Sequence, residues 1–236
     1  IRPLDAHGQA LQLMRSWTTA MPGEISSCSG CHERRTDSAP IRKTLALSKP
    51  VVEIEPWHGP FRPFSFAREV QPVLDKYCTG CHNGSARSDD KTLPDLRAQQ
   101  GRLICLVPGN PELRVVSNTP ARELMSKYGG VFEPSFIELR RFVRVGGFES
   151  DIRMLNPGEF AADTSELMQM LRKGHHGVRL DDEAWRRLET WIDLNAPCHG
   201  TWSEITPIPG NQRERRLTLR RLYGGVDEDD EVIPPM

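Results

Sequence analysis

Residues 64 to 82 read Phe64-Ser-Phe-Ala-Arg-Glu-Val-Gln-Pro-Val-Leu-Asp-Lys-Tyr-Cys78-Thr-Gly-Cys81-His82, and two patterns in that stretch decide the fold. Phe66, Val70, Val73, Leu74 and Tyr77 recur at helical spacing and form one apolar stripe. The stripe predicts an amphipathic helix that runs straight into Cys78. Pro72 is expected to kink it or to open its second turn, because proline lacks an N–H and clashes with the turn before it. Such a stripe suits any buried helix. What singles this one out is its abutment on Cys-x-x-Cys-His.

The same pattern stands earlier in the chain as Cys28-Ser-Gly-Cys31-His32. With 6 Cys and 7 His in 236 residues, composition alone gives about 0.004 occurrences per chain, so two copies are not coincidence. Cys-x-x-Cys-His is the attachment pattern of c-type haem. Two thiols at this spacing reach the two vinyl groups of one porphyrin, and the adjoining turn brings the next imidazole beneath the iron. Cys28, Cys31 and His32 are therefore expected to hold one haem c, and Cys78, Cys81 and His82 a second. A structural zinc site can also use two Cys-x-x-Cys pairs, but it gives no reason for a histidine directly after both. A thioredoxin-like motif belongs near a βαβ pattern, and none is legible here.

Composition narrows the function further. No run approaches the roughly 18 consecutive apolar residues of a membrane-spanning helix. The 31 basic and 32 acidic residues leave a formal charge of -1, which disfavours a broadly basic nucleic-acid binder. With 37% hydrophobic and 7% aromatic residues, and 19 Gly and 19 Pro breaking the chain into short elements, something besides side chains is expected to fill the core. The chain starts at Ile1 with neither initiator Met nor leader, as a processed product, a fragment or an excised domain does. Covalent haem implies a periplasmic or otherwise extracytoplasmic, oxidising address. A disulfide between the remaining Cys105 and Cys198 is therefore permitted and is expected, two buried free thiols being the alternative.

The rest of the chain reads as short helices between loops. Residues 4 to 20, with Leu11, Leu13, Met14 and Trp17, predict a helix before the first motif, and the Pro-rich stretch from Thr36 to Pro63 predicts a connector. Leu103 to Val107 is a possible strand or buried turn. Ser135 with Glu138 reads as a capping box before Phe136, Leu139, Phe142 and Val143. Asp163 to Glu166 reads as a cap for a helix carrying Leu167, Met170 and Leu171 and stopped by Gly174. Asp181 and Asp182 start a helix with Trp185, Leu188, Trp191 and Ile192 inward, ended by Pro197. Beyond Thr206 a basic block, Arg213 to Arg221, precedes an acidic one, Asp227 to Glu231. Such blocks are usually solvated or docked on a partner.

The second axial ligands decide the chemistry. In Gly174-His175-His176-Gly177 a glycine-bracketed loop can swing an imidazole towards a haem face without straining a helix. One of the pair is expected to ligate the second haem, His176 slightly preferred over His175; a surface pair of histidines is the alternative. Met168 or Met170 could coordinate instead, although a Met at helical spacing is more often packing. For the first haem, His58 or His7 could close the distal face, or that face is open. An open face admits small molecules to iron, whereas a closed one restricts the site to electron transfer.

A set of further motifs carries a family resemblance. Met14-Arg-Ser-Trp17, Pro22-Gly-Glu24, Cys28 to Arg34, Gly147-Phe-Glu-Ser-Asp151, Asp163-Thr-Ser-Glu-Leu167, Leu171-Arg-Lys-Gly-His-His-Gly177, Trp191-Ile-Asp-Leu-Asn-Ala196 and His199-Gly-Thr-Trp202 resemble the haem-bearing C-terminal half of hydrazine synthase alpha-subunit-like proteins, planctomycete type, over roughly residues 11 to 234. The resemblance implies a dihaem unit, often preceded in the full-length protein by a β-propeller. It also implies a reactive first haem at Cys28, Cys31 and His32. The second, at Cys78, Cys81 and His82, is implied to be bis-histidine-ligated with its distal ligand from the Gly-His-His-Gly loop. The anammox enzyme carries a tyrosine iron ligand four residues after the motif histidine. Thr36 stands there in this chain, so the resemblance makes His32 the ligand and does not carry hydrazine chemistry with it.

The expected fold is mainly α and cytochrome c-like, with two covalently bound haems among long Pro- and Gly-rich loops. The expected organisation is a first haem-binding segment over 1–56, a second cytochrome c-like domain over 57–204 and a charged tail over 205–236. The expected function is periplasmic one-electron transfer as a module of a larger protein, the partner being a redox protein or a preceding domain of the same polypeptide. No nucleic acid and no transmembrane segment is expected. Two alternatives stand beside it: a haem redox enzyme whose open first haem acts on a small nitrogen or oxygen compound, and a structural or sensing haem module.

Overall fold

Ser65 starts the helix that the apolar stripe predicts, its Oγ accepting a hydrogen bond from the Arg68 N–H at 3.3 Å. The computed structural model describes residues 2–12, 36, 48–50, 57–85, 93–99, 102–107, 110–117, 131–144, 156–205 and 207–234. In it, Phe66–Val70 form one wide π-helical turn, and α1, Gln71–Tyr77, continues from it. Pro72 lies in the first turn of α1, where its missing N–H has no partner to lose. In a regular α-helix its ring would meet the carbonyl of Arg68 four residues back, and the chain widens there instead. Phe66, Val70, Val73 and Leu74 are buried as the stripe requires.

The next helices pack on that face. α2 is Pro134–Arg140, α3 is Glu166–Lys173 and α4 is Asp182–Asp193. Phe66, Phe136 and Trp191 form the centre of the core: Phe66 lies 5.3 Å from each of the other two rings, and Phe136 stands edge-on to Trp191 at 6.2 Å. Trp191 is fully buried and donates its Nε1–H to the Pro197 carbonyl at 3.0 Å, so its one polar atom is satisfied. α4 starts as predicted, with Asp181 accepting from the Ala184 N–H at 2.8 Å.

The molecule is mainly helical among the described residues, but it also carries a small antiparallel sheet. β1, Arg102–Val107, lies between β2, Asn110–Ser117, and β3, Val131–Phe132, with Ile104 opposite Val115 on one side and Phe132 on the other. The possible strand at Leu103 to Val107 is thus β1, and its partners were not legible. Among the described residues no helix is long and apolar enough to cross a membrane.

Several local expectations are corrected. Ser135 is no cap: the helix starts after Glu133, and the Ser135 hydroxyl donates to Gln71 Oε1 at 2.7 Å inside the core. Glu138 pairs with Arg141 instead. Buried polar groups need partners, and a serine facing Gln71 supplies one to α1. Likewise Asp163 and Thr164 fall in a short 3-10 turn, Ala162–Thr164; Ser165 holds the N-cap position of α3 as expected, but its hydroxyl accepts from the Arg144 N–H at 3.0 Å instead of bonding the helix. Within the predicted N-terminal helix, Leu4 pairs with Ala10 in a tight antiparallel bridge; residues 13–20 lie outside the described residues. The Ala10 N–H donates to Asp193 Oδ2 at 2.8 Å and the Ala162 N–H to Oδ1 at 2.9 Å. Asp193 thereby joins the N-terminal segment to the end of α4.

The charged C-terminal region folds back on itself. α5, Trp202–Ile205, is followed by α6, Gln212–Gly224, and none of α6 is buried. Arg213 binds Asp229 at 2.9 Å, Arg216 pairs with Asp230, Arg220 bridges Asp230 and Glu228, and Arg221 pairs with Asp227. Glu231 then accepts from the Ser203 N–H and hydroxyl at 2.9 and 2.7 Å. The blocks stay solvated, as expected, and each supplies the other's charge partners. Cys198 is a buried free thiol that donates to Glu133 Oε2 at 2.8 Å, and the Cys105 side chain, its expected partner, lies outside what the structure describes. Burial, with Glu133 beside it, pushes the Cys198 thiol far above its ordinary range.

Candidate functional site

Where α1 ends, the chain turns through the second Cys-x-x-Cys-His. The Cys78 N–H continues the helix to the Leu74 carbonyl at 2.8 Å, and the His82 N–H closes a turn on the Cys78 carbonyl at 2.9 Å. Both thiols and the imidazole therefore face one cavity of about 340 Å³, within the usual range for small-molecule and cofactor sites. Leu74, Tyr77, Leu96, Leu139, Phe142, Leu167, Met170, Leu171 and Leu188 make its walls, and His175 and His176 sit opposite the motif. α1, α2, α3 and α4 each give apolar residues to it, so the cavity is what the four helices enclose.

His82 is oriented by its own loop. Its Nδ1 lies 3.3 Å from the Pro94 carbonyl, and a carbonyl can only accept, so Nδ1 carries the hydrogen and Nε2 keeps its lone pair free. A backbone carbonyl on the second ring nitrogen is the usual way a metal-binding histidine has its tautomer fixed. The Leu96 N–H donates back to the His82 carbonyl at 3.0 Å and holds that strand of loop in place.

His175 answers from α3. The Glu166–Lys173 helix stops at Gly174, with φ +92°, and the loop then passes through His176 at φ +47° and Gly177 at φ +77°. Left-handed backbone is free to glycine but costs a histidine about 1 kcal/mol. Strain of this kind collects at functional sites. The result is that the His82 and His175 rings lie 5.9 Å apart, centroid to centroid, with their planes 28° apart. Two metal–imidazole bonds of about 2 Å, plus the distance from each bonding nitrogen to its ring centre, span about 6 Å. The observed centroid separation matches that span.

Of the loop pair, then, His175 faces the motif histidine, whereas the sequence reading preferred His176. His176 is exposed and lies edge-on to His175 at 4.7 Å and 83°. Burial, with His176 and His82 as neighbours, lowers the pKa of His175 and favours its neutral, lone-pair-bearing form. Burial also pushes the Cys78 thiol up to about 11, so it is a protonated apolar wall in the bare protein; Cys81 is exposed. Met170 is on the cavity wall, while Met168 is in the core behind it. Among the described residues no three His, Cys, Asp or Glu side chains cluster as a bare-ion site.

The remaining predicted residues are elsewhere. Cys28, Cys31 and His32 lie outside the described residues. His58, at φ +46°, packs edge-on against Trp57 at 4.5 Å and does not line this cavity. The His7 N–H donates to Asp5 at an exposed turn. Sequence reasoning missed Tyr77 as a junction: its ring lines the cavity while its hydroxyl donates to Asp181 Oδ2 at 2.7 Å, an oxygen shared with Lys76 Nζ at 2.9 Å. Those two donors, with the Ala184 N–H, hold the Asp181 carboxyl well below the usual range. It also missed Glu69, buried and gripped by Arg62 at 2.6 and 2.9 Å and by Arg187, which clamps residues 58–62 onto α4. A Glu seven residues after an Arg is no recognisable signal.

The structure thus defines a mainly helical protein with an apolar cavity walled by a Cys-x-x-Cys-His turn and an opposing histidine loop. In comparison with known proteins, the family described as hydrazine synthase alpha subunit middle domain matches residues 1–33. That stretch ends one residue past His32 and includes the whole first motif. No curated protein and no solved structure matches the chain.

Proposed function

We propose that the chain is a dihaem c-type cytochrome unit that passes single electrons, with its second haem held in the cavity between His82 and His175. The observation that carries this reading is the convergence of Cys78, Cys81, His82 and His175 on one apolar cavity, the two imidazoles 5.9 Å apart. The residues fit the group: two thiols for thioether bonds, walls of Leu, Phe and Met for a flat apolar plate, and an imidazole on each side for the metal. When bound, haem supplies a one-electron iron couple. The chain's own residues do the rest. Cys78 and Cys81 tether, and the Pro94 carbonyl orients His82 and raises the basicity of its Nε2. Leu139, Phe142, Leu167 and Leu171 would keep water from a bound haem, and His175 would hold it from the side opposite His82. Thioether attachment argues for an extracytoplasmic address, and the electron partner is a redox protein or a preceding domain of the same polypeptide.

The test is the absorption spectrum of the native holoprotein and of His175→Ala. A low-spin six-coordinate component in the native protein, converted in His175→Ala to one that binds added cyanide, is the expected result. A native protein without any low-spin component contradicts the reading.

A second reading is favoured by the match over residues 1–33: a hydrazine synthase-like haem enzyme in which Cys28, Cys31 and His32 hold an open, reactive haem served by the second as relay. A high-spin component in the native protein that binds nitric oxide separates it from pure electron transfer; two wholly low-spin haems contradict it.

A further inference from the structure

We propose that His176 is a positioning residue: its ring, set edge-on against His175, fixes the rotation of the His175 imidazole and so sets the angle between the two imidazole planes on the second haem. This rests on the bis-histidine reading above. The sequence supplies two adjacent histidines where one ligand suffices, and the backbone holds the second at φ +47°, a conformation any β-carbon resists. His176 nevertheless does not face His82. It lines the same cavity from its exposed edge and meets the His175 ring at 4.7 Å and 83°. An edge-to-face contact is the favoured geometry for two such rings. Packed at right angles against His175, it hinders rotation about the axis towards His82, the one motion that a metal–nitrogen bond would leave free. The His82 and His175 planes stand 28° apart, close to parallel. Glycines on both sides, at φ +92° and +77°, let the loop seat both rings at once.

Near-parallel axial imidazoles give a low-spin ferric haem a well-resolved rhombic electron paramagnetic resonance signal, whereas crossed planes give a broad, strongly anisotropic one. The experiment compares the native holoprotein with His176→Asn and His176→Phe. Asparagine tolerates left-handed backbone but has no ring, while phenylalanine keeps the ring and cannot bind metal. In the native protein the rhombic signal is expected. In His176→Asn the haem stays six-coordinate and low-spin while its signal broadens and shifts to higher anisotropy, and His176→Phe restores the rhombic form. Signals from the first motif are common to all three proteins and cancel in the differences. A His176→Asn signal identical to the native one overturns the positioning role and leaves the bis-histidine reading intact. Loss of six-coordination in both variants makes His176 the ligand itself, which overturns this proposal. Absence of any low-spin signal in the native protein overturns the parent reading and this one together.

Discussion

The cavity region and the C-terminal arm are held together by opposite physics. Around the cavity, Phe66, Phe136, Trp191 and Ile192 are buried on short helices, and the stabilisation is apolar area removed from water. In the arm, α6 buries nothing, and four arginines meet four carboxylates in exposed or half-exposed pairs, Arg220 bridging two of them. Apolar burial carries no charge for salt to screen or acid to titrate. Charge pairing is sensitive to both, because exposed ion pairs are screened. The difference teaches that one region of the chain is held by apolar burial around a cavity and another by charge pairs whose closure depends on the solvent.

The largest effect that would sharpen this contrast is expected at Cys78 and Cys81. Cys78→Ala with Cys81→Ala leaves the four-helix core around an empty apolar cavity, and cooperative unfolding of residues 64–198 is expected to disappear in circular dichroism melts; a sharp native-like melt breaks the contrast. Next comes Trp191→Ala, which removes the central ring of the core and is expected to cost about 3–5 kcal/mol in denaturant titration of the holoprotein. Glu69→Gln leaves Arg62 and Arg187 facing each other without their carboxylate. Breaking a buried pair on one side costs about 3 kcal/mol, read by the same titration.

The smallest effect belongs to the arm. Arg213 and Arg220 hold Asp229 and its neighbours, and Arg213 draws the Asp229 carboxyl below its usual range. A depressed carboxyl contributes stability that is present above its unfolded pKa, near 4, and is lost as pH falls through the lower folded value. Acid below about pH 4, or high salt at neutral pH, is therefore expected to speed amide exchange in residues 212–224 while leaving that of α1 and α4 unchanged. Equal acceleration in both regions contradicts the division.

What was legible in the sequence follows the same line. The apolar stripe of Phe66 to Tyr77 and the Asp181 cap read through because each is local: helical spacing and a side-chain acceptor need no tertiary information. Ser135 and Ser165 misled because a capping pattern is indistinguishable in sequence from a serine that satisfies a distant group, here Gln71 and the Arg144 N–H. Cys78, Cys81 and His82 were legible as a motif, and the Gly-His-His-Gly loop as its opponent. Which imidazole faces inward was not, since it depends on where Gly174 and His176 turn left-handed. The pairing of the two C-terminal blocks required knowing that the chain reverses at Gly225, whose φ is +66°.

The central claim is that the cavity between His82 and His175 is built around a haem welded to Cys78 and Cys81. Mass spectrometry of the proteolytic peptide spanning Cys78 to His82, cut from the native protein, tests it most directly. The account predicts that this peptide carries the added mass of one haem on its two sulfurs; an unmodified peptide with two alkylatable thiols would contradict it.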